Sequence, residues 1–352
     1  VDDETLMRRA LALAERGRYS VSPNPMVGCV VARDGEVIAE GWHERAGEAH
    51  AEVATLRNCS DARGATMFVT LEPCAHHGRT PPCVDAIIAE GVARVVVAAG
   101  DPLHGGAQRL RDAGIEVTAG ILEAEARRQN EVFFHTAATK RPFVTLKAAM
   151  TLDGKLATVT RDSRWITGVE SRERSLALRE QADAILVGGG TVAADNPHLT
   201  RRLGWNNAVQ PWLRVVLDRD HTISTDTIVL NDGGATLHVT DDVDLDALLA
   251  DLHATRGVQS IVVEGGSVIH SEFIRRGLWQ KMIVFIAPMI VGGAAAPSIF
   301  AGDAVQRLTD AYRFRFDRVE AVGSDLMIVA YPRELPGYPV AELPMSTRQP
   351  GN

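Results

Sequence analysis

Short apolar runs separated by helical stretches constrain this chain more than any other feature. "MVGCVVA", "ATMFVTLEP", "ARVVVAA", "FVTLKAAM" and "DAILVG" have the length and β-branched content of buried strands, and turn residues bound them. Between them, "HERAGEAHAEVATLRN", "PPCVDAIIAEG" and "SRERSLALREQ" carry helical patterns. Strand and helix alternate along the chain, which predicts an α/β layer architecture with helices covering a sheet. No fixed-period repeat interrupts this order.

Local signals fix the ends of several elements. Leu6, Ala10, Leu13 and Ala14 stand at helical spacing, with Asp2 and Asp3 in front as capping acids and Gly17 behind as a stop. Asp34-Gly35 predicts a hairpin turn between "MVGCVVA" and "EVIAEGW". Pro82 opens the helix that Gly91 closes. At 352 residues and 45% hydrophobic the chain has the material for two cores. The polar, proline-bearing "ATKRPFV" places the boundary near residue 141, giving domains over 1–141 and 142–332. The last stretch, 333–352, has four prolines and no apolar period, and is expected to be a tail.

A formal charge of -8, from 37 basic and 45 acidic residues, gives no general attraction to polyanions, so no nucleic-acid partner is expected. There is no apolar window long enough to span a membrane and no apolar leader core, so a cytoplasmic protein without a membrane partner is expected.

Cysteine placement points to a metal. Cys29, Cys59, Cys74 and Cys83 are too few and too scattered for a disulfide framework. Cys29 sits inside an apolar strand and reads as a small core residue. Cys74 and Cys83 flank the stretch "CAHHGRTPPC", at or before a helix start, where the helix dipole favours thiolate. With His50 they make a three-ligand set of the kind that leaves zinc's fourth position for water. His50 and Glu52 are two apart, about 200° around a regular helix, so they share a site only beyond a helix N-terminus. There Glu52 is placed as a general acid/base beside the metal. H-x-E followed by P-C…C is the zinc deaminase pattern, in which the Glu is not a ligand. Eight residues separate Cys74 from Cys83 here, where that pattern has two. A closed structural zinc site is the competing explanation.

The second half carries two glycine turns. Gly188, Gly190 and Ala193 fit a G-x-G-x-x-A pattern after a strand, but Pro197 leaves little room for a dinucleotide-binding helix. "IVVEGGSVIHSEFIRRG" again runs strand, Glu264, Gly265-Gly266, helix, and its backbone N–H groups suit a phosphate. Together the two turns favour a phosphate-bearing cofactor.

"PNPMVGCVV", "HAEV" and "LEPCAHHGRTPPC" resemble the deaminase domain of bifunctional riboflavin-biosynthesis deaminase/reductases. "KAAMTLDGK", "SRWIT", "DAILVGGGTVAADNPHLT", "RVVLD", "IVVEGG" and "IAPMIVGG" resemble, in order, the reductase domain of the same family. The resemblance covers roughly residues 3 to 332. It implies a cytidine-deaminase-like three-layer α/β/α domain followed by a dihydrofolate-reductase-like α/β domain, with zinc and NADPH as cofactors.

Carried over by motif, the resemblance makes His50, Cys74 and Cys83 the zinc ligands and Glu52 the proton shuttle. It sets Asn24, His43, His76 and Arg79 in the deaminase substrate pocket and gives His77 no role. Met150, Trp165, Thr191, Asp195, Arg219 and the turn from Gly266 would bind NADPH. Ser163, Arg179, Leu199, Arg202 and Glu264 would contact the reductase substrate, with Lys147 a further contact and the two arginines suited to a phosphate. The implied substrate is a phosphorylated pyrimidine and the implied assembly a homo-oligomer. Two departures stand out: "GDPLHGGAQRL" replaces a longer D-P-N-P loop, and "DNP" at 195–197 replaces D-D-P. The alternatives are a reductase with an impaired deaminase, or another zinc nucleobase deaminase with a fused domain.

Overall fold

The computed structural model describes residues 1–78, 81–302 and 305–333. The chain forms two compact units. One is Val1–Lys140 together with Trp205–Gln210; the other is Arg141–Gly204 and the chain from Pro211 on. Six residues from the middle of the expected second domain therefore group with the first unit. There Asn207 N donates to the Tyr19 carbonyl at 3.0 Å and the Trp205 ring meets Tyr19 edge-on. The expected tail beyond Arg333 lies outside the described residues.

In the first unit the strands are β1 (Gly28–Arg33), β2 (Glu36–Trp42), β3 (Thr66–Leu71), β4 (Arg94–Ala99) and β5 (Glu116–Ala119), in the order β2-β1-β3-β4-β5. The Asp34-Gly35 hairpin makes β1 and β2 antiparallel, β3 is antiparallel to β1, and β3, β4 and β5 run parallel. The helices are α1 (Asp3–Ala14), α2 (Ala51–Arg57), α3 (Cys83–Ala89), α4 (Ala107–Asp112), α5 (Glu123–Gln129) and α6 (Glu131–Thr139). Asp2 caps α1 by accepting from Thr5 N at 2.8 Å, an interaction worth about 1 kcal/mol. Val30, Val31, Met67, Val69, Val95 and Val96 are fully buried, and Cys29 packs among them, as its place in an apolar run predicts.

The second unit holds one eight-stranded sheet: β6 (Phe143–Thr151), β7 (Ala184–Gly188), β8 (Leu213–Leu217), β9 (Thr236–Val239), β10 (Ser260–Val263), β11 (Lys281–Ala287), β12 (Phe314–Val322) and β13 (Asp325–Pro332). The order is β12-β13-β11-β6-β10-β7-β8-β9, with the six strands from β11 to β9 parallel and β12 and β13 antiparallel. Its helices are α7 (Val169–Gln181), α8 (Gly189–Asp195), α9 (Ile228–Asn231), α10 (Leu245–Arg256) and α11 (Ser267–Arg275).

Burial alternates between two clusters along the central strands: Leu186 and Val215 belong to one, Ile185, Val187 and Val216 to the other. Both faces of the sheet are covered, which is why its strands read as unbroken apolar runs rather than as an alternating pattern. The parallel arrangement brings the carboxyl ends of β6, β7, β8 and β10 to one edge, the usual ligand edge of such a sheet.

One cation interrupts this core. Arg214 of β8 is 1% exposed and forks onto Asp232, at 2.7 and 2.8 Å, while also donating to the carbonyls of His198 and Gly234. Breaking such a buried pair strands the remaining charge. We expect Arg214→Met to weaken β8–β9 by roughly 3–5 kcal/mol, checked by hydrogen-exchange protection of the two strands; unchanged protection would contradict it.

Candidate active sites

Three segments of the first unit deliver metal-ligating atoms to one point. His50 is the N-cap of α2, with extended backbone, Cys83 is the first residue of α3, and Cys74 follows β3. His50 Nδ1 lies 3.2 Å from Cys83 Sγ and 3.6 Å from Cys74 Sγ, and Cys83 N donates to Cys74 Sγ at 3.4 Å. The three ligand atoms lie within 4.8 Å of one another, and this is the only such cluster among the described residues. One nitrogen and two sulfurs at these separations fit a zinc ion bonded at about 2.0 to 2.3 Å, with its fourth position left open.

The cysteine pair is poised for a cation. The Cys83 thiol hydrogen-bonds Cys74 and so holds Cys74 down to about 4, while the same bond pushes Cys83 up. Glu52, in the first turn of α2, is buried and hydrogen-bonded to Cys83 but lies outside the ligand cluster. Burial pushes its carboxyl above the usual range. Because His50 caps the helix instead of sitting within it, the opposite-face problem for a two-residue spacing does not arise.

Asn24 and His43 form a unit behind His50. The Asn24 amide donates to His43 Nε2 at 3.0 Å, and His43 Nδ1 donates to the Ala49 carbonyl at 3.0 Å. This bonding fixes one neutral tautomer, and burial accordingly lowers the His43 pKa. The His43 ring meets His50 edge-on at 5.5 Å. His76 is exposed on the segment after Cys74, and its ring stacks on His104. His77 is exposed, and Arg79 lies outside the described residues.

Sequence reasoning missed Glu72. Its carboxylate accepts from Asp101 N at 3.2 Å and Ala107 N at 2.7 Å, pinning the 101–107 loop beside Cys74. The only signal was its place in "LEPC", where a buried acceptor and a catalytic acid look alike.

In the second unit, Lys147 of β6 and Arg179 of α7 converge on Glu264, just after β10. Arg179 forks onto the carboxylate at 2.8 and 2.9 Å, and Lys147 Nζ lies 3.6 Å away. Burial would raise the Glu264 pKa, but the two cations hold it at about 2. Two cations against one anion leave a net positive cluster, largely buried and suited to an anionic ligand. Arg179 spends its third nitrogen on the Thr200 carbonyl, so its fork orients Glu264 and is not free for a phosphate. Arg202 is exposed, and its backbone N–H donates to Glu180. Leu199 is buried with positive φ, and its carbonyl accepts from Trp212.

The two glycine turns adjoin. Ile269 of α11 packs against both Gly188 and Gly265, and Thr191 lies beside Gly266. A side chain at Gly189 would collide with the buried Asp218 carboxylate at 2.3 Å, whereas the neighbouring Gly190 faces open space. Helix α8 has only seven residues before Asn196 ends it, too short for a dinucleotide-binding crossover, as Pro197 predicts. Asn196 also accounts for the "DNP" departure. It takes the left-handed conformation that asparagine tolerates, and its Oδ1 accepts from Ile228 N. Met150 is half-buried near the end of β6, and Ser163 is half-buried in the following loop. Trp165 is exposed, with the Arg172 guanidinium over its ring. Asp195 pairs with Arg164, and Arg219 pairs with Asp220 and Asp242.

Residues 1–99 match the family described as the cytidine and deoxycytidylate deaminase zinc-binding region, and residues 142–328 match the RibD C-terminal domain. The riboflavin biosynthesis protein RibD of Bacillus amyloliquefaciens is 38% identical, over 94% of this chain and 97% of that protein. The Escherichia coli RibD is 38% identical, over 93% and 99%. This chain belongs to the RibD family. The solved structure of Acinetobacter baumannii RibD superposes with a TM-score of 0.86 at 36% identity, covering 94% of this chain and 99% of that one. A deaminase/reductase structure from Thermotoga maritima gives 0.85 at 37% identity, covering 94% and 98%.

As a RibD family member the chain is a bifunctional riboflavin-biosynthesis enzyme: a zinc-dependent deaminase with a cytidine-deaminase-like fold, joined to an NADPH-dependent reductase with a dihydrofolate-reductase-like fold. No described helix is long and apolar enough to cross a membrane.

The RibD reductase half contains another residue the sequence did not flag. His270 of α11 is 2% exposed, its Nε2 approaches the Val263 carbonyl at 3.4 Å, and its Nδ1 has no partner. Burial depresses its pKa to about 4. The unfolded chain therefore binds the extra proton between about pH 6.5 and 4, so this contribution is full above pH 6.5 and is lost as pH falls through 4. The shift corresponds to about 3 kcal/mol. We expect His270→Leu to flatten the acid limb of the stability profile of the reductase half between pH 4 and 6.5; an unchanged limb would show that His270 is not its source.

Zinc content checks the first site. Cys74→Ser, Cys83→Ser and His50→Ala should each drop bound zinc well below one per chain, whereas His77→Ala should leave it unchanged. Full zinc occupancy in Cys83→Ser would remove that residue from the ligand set.

Proposed function

We propose that the first unit hydrolyses the 2-amino group of a 2,5-diamino-6-ribosylamino-4(3H)-pyrimidinone 5′-phosphate, and that the second then reduces the ribosyl chain of the deaminated product. The observation that carries this is the buried Glu52 beside three converging ligand atoms. A carboxylate lying next to the metal position, yet outside the ligand set, is what a proton carrier for hydrolysis requires. Zinc, held by His50, Cys74 and Cys83, supplies the Lewis acidity that makes water a nucleophile near neutral pH.

Glu52 accepts a proton from the attacking water and returns it to the leaving amino nitrogen, so that one water enters and one ammonia departs. Burial favours the protonated carboxyl, which supports the return step. Asn24 and His43 are fixed by their mutual hydrogen bond and serve as a rigid wall against the base. By family resemblance His76 and Arg79 are further substrate contacts.

In the second unit bound NADPH would supply the hydride that the reduction of the ribosyl chain requires. Thr191 and the adjoining turn from Gly266, whose backbone N–H groups suit a phosphate, would hold its phosphates. Met150, Trp165, Asp195 and Arg219 complete that cofactor site. Lys147 faces the substrate with Glu264, which Arg179 holds in place, while the exposed Arg202 is available to the phosphate. Ser163 and Leu199 belong to the same substrate site. A homo-oligomer in the cytoplasm, with no nucleic-acid partner, completes the proposal.

The test is a two-stage assay on this phosphorylated substrate. Ammonia should appear without NADPH, and NADPH should be consumed only after deamination. Glu52→Gln should cut ammonia release roughly 10²- to 10⁴-fold, while NADPH consumption on the authentic deaminated intermediate persists. Loss of both activities in that variant would refute the division of labour.

A further inference from the structure

The 101–107 loop brings one more imidazole to the deaminase rim. The His104 and His76 ring centroids are 3.6 Å apart, with the planes tilted by 31°. Both rings are exposed, so hydrophobic burial does not account for the stack. The backbone beneath it is fixed from several sides. The Asp101 carboxylate accepts from Leu103 N at 2.8 Å and His104 N at 3.2 Å. The His104 carbonyl accepts from Ala75 N at 3.0 Å, and Gly105 forms a bridge with the ligand Cys74. Glu72 ties down both ends of the loop.

The glycine pair makes this close passage necessary to the design. A Cβ at Gly105 would sit 2.6 Å from the Glu72 carboxylate, and one at Gly106 would sit 2.4 Å from Val84 and 2.7 Å from the Pro73 carbonyl. The loop "DPLHGG" is thus threaded tightly against the residues that precede and follow the zinc ligands, and its one long polar side chain at the tip is laid on His76. A ring held by its own backbone in this way gives up little conformational entropy on meeting a ligand.

We propose that His104 is a substrate-recognition residue of the deaminase, pairing with His76 to take the phosphoribosyl portion of the substrate. This rests on the deaminase function proposed above. With the amino-bearing ring carbon at the metal position, the sugar phosphate extends toward the rim. There, two stacked imidazoles offer ring N–H donors to phosphate and ribose oxygens.

The test compares native protein with His104→Ala and His104→Phe, all loaded with zinc. In native protein, failure to release ammonia would overturn the deaminase function and this proposal together. Given native activity, we expect each variant to lower kcat/KM for deamination about tenfold, the loss of one charge-assisted hydrogen bond, chiefly through KM. The loss should shrink on the dephosphorylated nucleoside. Ribose 5-phosphate, titrated calorimetrically, should bind both variants more weakly than the native protein. Zinc content and NADPH consumption on the deaminated intermediate should hold, which separates this effect from misfolding. Native kinetics in His104→Ala would overturn the proposal. So would full recovery in His104→Phe, because a ring that only stacks would then suffice.

Discussion

The convergence of His50, Cys74 and Cys83 is the constraint on which the first unit depends. His50 caps α2, Cys83 opens α3, and Cys74 stands in the segment that leaves β3. None can move without moving a helix or a strand. His50 Nδ1 lies 3.2 Å from Cys83 Sγ, and Cys83 N donates to Cys74 Sγ, so the three groups already stand together. Helix N-termini at the site add partial positive charge, which favours thiolate before any metal arrives. Glu52 is positioned by the same element as His50, so ligand and proton carrier keep a fixed relation.

The second unit solves a different problem with related means. A hydride-transfer site needs a phosphate cradle and an oriented substrate, and here both lie at the carboxyl edge of a parallel sheet. The two glycine turns meet at Ile269, and two cations converge on Glu264, as the proposed cofactor and substrate sites require. Register explains why these meet. Val263 pairs with Leu146 and Leu186, so the residue after β10 falls beside Lys147 and within reach of α7.

Much of this was legible in the sequence. Unbroken apolar runs marked strands buried on both faces, and Asp34-Gly35, Pro82 and Gly17 marked ends that the structure reproduces within a few residues. The convergence of His50, Cys74 and Cys83 was legible because zinc accepts few side-chain types and the spacing excluded a disulfide framework. Arg179 was only half legible: its identity suggested phosphate, but its fork is committed to Glu264, a pairing 85 residues distant in the chain. His104 and His270 were invisible for the same reason. A histidine carries no local signature, and what each one does is decided by a partner that only the fold supplies. The grouping of residues 205–210 with the first unit was equally out of reach, since it depends on Tyr19, far upstream.

Acidic residues show where such limits come from. Glu72 pins the deaminase loop through two backbone N–H groups, Asp153 joins the loop after β6 to Val291 and Gly292, and Asp218 holds Thr222 beside the first glycine turn. All three are carboxylates near a site, and none faces the chemistry. Backbone donors satisfy them, which fixes their geometry, whereas Glu52 is buried against a thiol and burial raises its pKa. The distinction between a carboxylate that builds a site and one that works in it therefore lies in what donates to it. A loop can be exchanged for a shorter one, as the 101–107 loop shows, provided that the building carboxylate still finds its N–H groups.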